Sequence, residues 1–313
     1  MENNRPAVLI TGANGFVGRH LTPALEGNGW TVRRAMRTPA TKFNDFQIET
    51  VGRATDWRAA LTDAEAVIHL AARVHRPNEE HAADLYSDVN IEGTLHLARC
   101  AAKAGVRNFV FVSTILVNGR SSDGRSPFSE RDMPTPRGIY GQSKAAAEAG
   151  LAEIAQSGDM RITVIRPPLI YGAGARGNFD LLTRAVMSGI PLPFSLIRNR
   201  RAFLAVQNLN SFILHRLVRC DSKFDIFLLA DDEQVSTPEF IRRLAKAAGT
   251  KSRLFPIPIS LLGPVLKASG RPEIRESIIG SLELDVSKAA STGWRPQVTL
   301  DEGLRLASAA RDS

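Results

Sequence analysis

Ala7-Val-Leu-Ile-Thr11-Gly12-Ala-Asn-Gly15-Phe-Val-Gly18 is the stretch that decides the fold. Its first five residues are an apolar, β-forming run and read as a strand buried on both faces. Beyond the glycines, Val17, Leu21, Ala24 and Leu25 recur at helical spacing. Strand, glycine loop and helix start form the layout that sets a pyrophosphate on a helix N-terminus, where unpaired N–H groups and the helix dipole favour an anion. The glycines permit the tight turn and let backbone approach phosphate closely. The spacing is Gly-x-x-Gly-x-x-Gly rather than the commoner Gly-x-Gly-x-x-Gly. Gly12, Gly15 and Gly18, with Phe16 and Val17 between them, are therefore candidates to hold a dinucleotide.

Working outward, apolar strand candidates alternate with helical patterns at 7–11, 31–36, 48–51, 65–70, 108–113 and 162–166, with a further strand at Phe224–Leu229. That order predicts an α/β fold, a doubly wound parallel sheet with helices on both faces and the active site at the carboxyl ends of its strands. The segments 173–200 and 237–313, the latter proline-rich with short helices such as Thr237–Ala248, depart from this rhythm. They predict a smaller, discontinuous substrate domain, leaving 1–172 plus about 201–236 as the dinucleotide domain. An acid at the end of the second strand marks NAD, because it holds the ribose 2′-hydroxyl. Here the stretch is Thr31-Val-Arg-Arg-Ala-Met-Arg37, with no acid. Arg37 suits a 2′-phosphate and favours NADP(H) over NAD(H).

Tyr140-Gly-Gln-Ser-Lys144 pairs a weak acid with a cation four residues apart, one helical turn along the same face. A neighbouring ammonium favours the phenolate and is expected to lower the tyrosine pKa from its usual value of about 10. Such a phenol serves as a proton donor or acceptor near neutral pH.

With these motifs the chain resembles the extended short-chain dehydrogenase/reductase family, most closely its nucleotide-sugar branch of UDP-galactose 4-epimerase-like enzymes and 4-keto-sugar reductases. The resemblance runs over nearly the whole length and implies a role for each motif. Asp56-Trp57 would sit against the adenine, and His69-Leu70-Ala71-Ala72 would pass beside the cofactor. Asn90-Ile-Glu-Gly93-Thr94 matches the family's Asn-x-x-Gly-Thr, with Asn90 supporting a backbone kink or a water near the lysine. Phe109-Val-Phe-Val-Ser113-Thr114 ends in the catalytic hydroxyl, with Thr114 the first choice and Ser113 the second. Arg166-Pro167-Pro-Leu-Ile-Tyr-Gly172 leads out towards the substrate domain, where Asn178, Arg201 and Arg275 would contact the diphosphate. Tyr140 would exchange a proton with the oxygen on C4 of a hexose, while Lys144 holds the nicotinamide ribose. The loop 73–80, including His75, would touch the sugar.

The resemblance leaves the net reaction open between a reductase and a UDP-hexose 4-epimerase. Gly177-Asn-Phe, Asn199-Arg-Arg and Val235-Ser-Thr-Pro-Glu239 are similar to bacterial O-antigen enzymes that reduce a UDP-4-keto-6-deoxy-N-acetylhexosamine. A dehydratase is disfavoured, because Ile115 and Leu116 stand where those enzymes carry an acid pair. Sensors of this fold that bind NADP without chemistry tend to lose the Tyr/Lys pair, which this chain keeps. Family members often pair through two adjacent helices, so a homodimer is consistent with the resemblance.

The formal net charge is +8, yet the basic residues are spread out and aromatics make up only 6%, so no stacking stripe for nucleic acid is present. A basic rim that draws in a sugar nucleotide and NADPH explains the charge equally well. The two cysteines, Cys100 and Cys220, are far apart and in no metal spacing, which fits buried thiols in a reducing cytoplasm. The N-terminus leads straight into a strand, which gives no sign of a secretory signal. No apolar run reaches the length of a membrane span; the longest candidate, from Phe255 to Leu266, is broken by Pro256, Pro258 and Pro264.

Overall fold

A computed structural model describes residues 5–40, 43–74, 82–262 and 272–309. The chain divides into two compact units, one comprising 1–117, 134–166 and 212–227, the other 118–133, 167–211 and 228–313.

The first unit opens with β1 (Ala7–Thr11), α1 (Phe16–Gly27), β2 (Thr31–Met36) and β3 (Asp45–Gln47). There follow α2 (Arg58–Leu61), β4 (Ala64–His69), α3 (Ala83–Tyr86), a π-helical turn (Ser87–Gly93) that runs on into α4 (Thr94–Lys103), and β5 (Asn108–Val112). After α5 (Gly138–Gln156) and β6 (Arg161–Arg166) the chain leaves this unit. It later returns with part of α7 (Val206–Val218) and with β9 (Phe224–Leu228). The seven strands lie in the order β3-β2-β1-β4-β5-β6-β9, and the pairs from β3 through β6 are parallel. The order reverses between β1 and β4, the switch point where open α/β sheets bind ligands. Leu9, Val67, Phe109, Phe111 and Val164 from the strands and Leu97, Ala98, Ala147 and Leu151 from the helices form the core. Strands covered on both faces read as continuous apolar runs, which is why their sequence bounds agree with the structure to within a residue or two.

The third strand is the exception. The sequence places it at 48–51, whereas the structure pairs Asp45–Gln47 with β2. Arg34 holds the buried Asp45 carboxylate with two bonds of 2.7 Å, and this pairing carries a charged residue into the sheet edge. Ile48 and Val51 still reach the core, from outside the strand.

The second unit contains β7 (Leu169–Tyr171), α6 (Asn178–Met187), β8 (Phe203–Ala205), α8 (Thr237–Ala247), α9 (Pro272–Ile279), α10 (Ser287–Ser291) and α11 (Leu300–Ala309). β7 and β8 form a two-stranded parallel sheet. Tyr171, Phe179, Phe203 and Phe240 pack as an aromatic cluster, with Phe203 stacked on Phe240 at 3.9 Å. Tyr171 donates to buried Asp231 at 2.7 Å, and Asp231 accepts in turn from Ala205 N and Asn208 Nδ2.

Four segments sit differently from the sequence division, 118–133, 167–172, 201–211 and 228–236, all of which fall in the second unit. Residues 118–133 join the second unit: Ser122 N donates to Ser281 O at 2.9 Å, and Phe128 N donates to Glu283 O at 2.8 Å. Residues 201–211 join it as well, since β8 pairs with β7.

Candidate active site

At the switch point the glycine loop follows β1 and the 70–72 loop follows β4. Gly12 has φ +72°, and a Cβ there would meet Ala71 N at 2.9 Å. Leu70 N donates to Thr11 O at 3.2 Å and Ala71 N to Thr11 Oγ1 at 3.2 Å, so the two loops are tied side by side. Gly15 N donates to Gly12 O at 2.9 Å, closing the turn before Phe16 and Val17 enter α1. A Cβ on Gly18 would fall 2.5 Å from Gly12 O and 2.6 Å from Ala13 Cα, distances no real side chain accepts. Each glycine thus leaves backbone close to backbone, a cradle of the kind a pyrophosphate fits. Gly18→Ala is expected to push the loop outward and weaken dinucleotide binding by roughly tenfold to a hundredfold, as overpacking of about 1–3 kcal/mol implies. Fluorescence titration with the dinucleotide measures it; unchanged affinity in a folded variant would remove Gly18 from the site.

Beneath the loops lies a buried imidazole. His69 Nδ1 is 2.6 Å from Thr11 Oγ1 and its Nε2 is 2.9 Å from Thr94 Oγ1. Burial, with the Lys144 charge adding to it, pushes His69 down to about 3, so the ring is neutral. This gives the motif Asn90-x-x-Gly93-Thr94 a physical reading. Thr94 anchors His69, and a Cβ on Gly93 would meet Val51 O at 2.7 Å. Asn90, turned inward in the π-helical segment, accepts from Arg73 N at 2.8 Å and donates to Arg73 O at 3.0 Å and Ser143 Oγ at 2.9 Å. His75 and the rest of that loop beyond Val74 lie outside the described residues.

The pair Tyr140 and Lys144 stands on α5, an alanine-rich helix whose start packs against the segment after Thr114: a Cβ on Gly141 would meet Leu116 O at 3.1 Å. Lys144 is buried, with Nζ 3.8 Å from the centre of the Phe111 ring. Burial pushes it down to about 7. Tyr140 is half-buried and is pushed up to about 12, first by burial and then by Tyr86. The expected lowering by Lys144 is therefore overturned in the free protein. Low dielectric disfavours both the phenolate and the ammonium that would stabilise it.

The structure separates the two candidate hydroxyls. Ser113 is buried; it donates to Glu148 Oε1, and Glu148 also receives Arg166 through Nε at 3.0 Å and Nη2 at 2.5 Å. Thr114, half-buried, accepts through Oγ1 only a long 3.3 Å bond from Leu116 N among the described residues. Glu148, Phe111 and Ser143 were not singled out from sequence. Glu148 had a signal: Tyr140, Lys144 and Glu148 recur every four residues on one helical face.

Other candidates fall as follows. Arg37 is exposed and has no partner among the described residues, while Arg34 is committed to Asp45 and Arg33 donates to Thr62 O. Asp56 is exposed and bonded to Arg58, which holds it down to about 2. Trp57 buries its indole in the core, and Ala72 is half-buried. Pro167 is buried directly after β6. In the second unit Asn178 is exposed at the N-terminus of α6. Arg201 donates through Nη1 to Glu276 O at 3.1 Å and Gly280 O at 2.6 Å, which ties it to α9 beside exposed Arg275. Burial pushes Arg201 down to about 10.

The NAD dependent epimerase/dehydratase family model matches residues 8–229. UDP-glucose 4-epimerase of Vibrio cholerae is 35% identical over 306 residues, covering 96% of this chain and 93% of that protein. GDP-6-deoxy-D-mannose reductase of Pseudomonas aeruginosa is 26% identical over 309 residues, covering 95% and 94%. Among solved structures, MoeE5 in complex with UDP-glucose and NAD superposes with a TM-score of 0.79 at 24% identity, covering 98% of each chain. The glycine cradle, the Tyr140/Lys144 helix and these matches agree: the chain belongs to the NAD dependent epimerase/dehydratase family and is an enzyme of the extended short-chain dehydrogenase/reductase type.

Proposed function

We propose that the chain reduces the C4 ketone of a UDP-linked 4-keto-6-deoxyhexose at the expense of NADPH. A bound nicotinamide dinucleotide supplies the hydride. The first unit would hold the dinucleotide through Gly12, Gly15, Gly18 and the 70–72 loop, with Lys144 on the nicotinamide ribose. Tyr140 keeps its proton at neutral pH and donates it to the C4 oxygen. Thr114 donates a second hydrogen bond to that oxygen, since Ser113 is spent on Glu148. Asn90 holds the Arg73 backbone and Ser143, whose hydroxyl donates to Tyr140 O at 2.8 Å, so it steadies the turn that carries the phenol. The second unit would take the nucleotide sugar, with Asn178, Arg201 and Arg275 towards its diphosphate.

The observation that carries the reductase reading is the end of β2. No acid stands there, the next acid along the chain, Asp45, is buried against Arg34, and Arg37 remains open to a 2′-phosphate. NADPH is a reagent consumed in net reductions, whereas an epimerase retains its dinucleotide. Arg37→Ser is expected to weaken NADPH binding by about tenfold to a hundredfold and to leave NADH binding unchanged, the range that charge-assisted hydrogen bonds span. Competition titration checks it. Equal losses for both dinucleotides would point away from a 2′-phosphate contact.

The second reading is a UDP-hexose 4-epimerase, favoured by the 35% identical relative. Incubation with a UDP-4-keto-6-deoxyhexose and NADPH separates the two. Stoichiometric loss of the reduced-nicotinamide absorbance supports the reductase. No loss, together with interconversion of UDP-glucose and UDP-galactose, replaces it with the epimerase.

A further inference from the structure

Two long stretches of the chain hold no acidic residue: 181–220, between Asp180 and Asp221, and 240–272, between Glu239 and Glu273. They carry six and seven arginines or lysines, of which Arg184, Arg200, Arg216, Arg242 and Arg243 are paired with carboxylates from outside these stretches. In the second unit the structure brings parts of both together. Leu192 N donates to Arg253 O at 2.8 Å, Phe255 N donates to Leu192 O at 3.1 Å, and Ser195 N donates to Phe255 O at 3.4 Å. α6 feeds directly into this pair of segments, because Ile190 N donates to Ala185 O at 3.0 Å. Gly189, φ +64°, lies against the Arg253 guanidinium, which a Cβ would meet at 3.7 Å.

Large apolar side chains stand outward along these segments. Leu181 is 60% and Leu261 64% exposed, and Met187, Ile190, Leu196 and Phe255 are exposed with them. Leu181, Arg184 and Met187 follow one helical face at a spacing of three. Lys251 and Arg253 are exposed between the apolar groups with no carboxylate partner among the described residues. Ile190, Leu196 and Phe255 stand on segments hydrogen-bonded to one another, and exposed apolar groups gathered in this way mark a binding face rather than scattered surface residues.

Charge selects the occupant. A second copy of the chain would present the same Lys251 and Arg253, which no carboxylate of the described residues opposes, so self-pairing over them sets like charges against each other. Pro256 and Pro258 lack the N–H groups that an added strand would need. Phe255 is the one aromatic among these apolar groups, too few for a nucleic-acid stacking platform. Apolar side chains interleaved with unopposed Lys and Arg match an anionic lipid surface. We propose that this face of the second unit docks on an anionic phospholipid bilayer, with the apolar side chains among the acyl-chain boundary and Lys251 and Arg253 at the lipid phosphates. The association is peripheral, since no described helix is long and apolar enough to cross a membrane. It does not depend on which reaction the enzyme runs.

Co-sedimentation with vesicles tests it. The full chain should sediment with phosphatidylglycerol-containing vesicles and stay in solution with pure phosphatidylcholine. Lys251→Ala and Arg253→Ala should each weaken binding about fivefold, the worth of one cation at such a surface. Leu261→Ser combined with Ile190→Ser should abolish it, with melting temperature and dinucleotide binding unchanged. Failure to sediment with anionic vesicles would overturn the proposal. So would wild-type sedimentation of the serine variant, or size-exclusion chromatography showing that the same variant splits an oligomer, which would make the face a self-interface.

Discussion

Replacement of Tyr140 by Phe is expected to lower turnover by about 10²–10⁴-fold, the contribution of a positioned general acid, while dinucleotide affinity stays that of the wild type. The ring keeps its half-buried seat on α5, so only the hydroxyl and its proton are lost. With the phenol pushed up to about 12, Tyr140 carries its proton throughout the neutral range, the form that the proposed acid role requires. The backbone around it should not move, because the bonds that hold it run from Ser143 Oγ to Tyr140 O and from Asn90 to Ser143. Steady-state NADPH oxidation with a 4-keto sugar nucleotide, beside a dinucleotide titration, separates chemistry from binding. Turnover within tenfold of wild type would remove Tyr140 from the acid role.

Glu148→Ala is expected to cost about 3–5 kcal/mol of stability, the penalty for leaving one partner of a buried ion pair uncompensated. Arg166 and Glu148 are both buried, and the carboxylate accepts from Arg166 and from Ser113 at once. Removing it strands a guanidinium and a hydroxyl between β5, β6 and α5. Glu148→Gln keeps the size and one acceptor and should lose less. Denaturant titration of the two variants measures the difference. Equal stability of Glu148→Ala and wild type would show that water replaces the carboxylate without loss.

These two expectations rest on different kinds of information. Tyr140 was legible in sequence because spacing on a helix is local: four residues make one turn whatever surrounds them. Glu148 shares that spacing, but an acid on a helix is ordinarily solvated, and nothing local says that Arg166, eighteen residues on, closes over it. The same holds for Ser113 and Thr114. Adjacent hydroxyls at a strand end look alike until neighbours claim one, and Glu148 claims Ser113. Arg201 was expected at a phosphate. In the folded unit one of its nitrogens is already bonded to the carbonyls of Glu276 and Gly280, so its position is set by the end of α9.

The residues 7–18 determined a great deal alone. A buried parallel strand must be continuously apolar, and a backbone at φ +72°, or one packed 2.5 Å from where a Cβ would sit, admits only glycine; both constraints are written in residue types. Helix register, the alternation of strands and helices and the missing acid after β2 are local in the same way. Only the tertiary structure decided what burial does to charge. It raised Tyr140 rather than lowering it, brought Lys144 to about 7, neutralised His69 and let Asp45 start a strand by giving it Arg34. Tertiary contacts also drew 118–133 towards 281–285. The physical reason is common to all of these: desolvation and long-range pairing depend on atoms distant in the chain, and residue spacing carries no record of them.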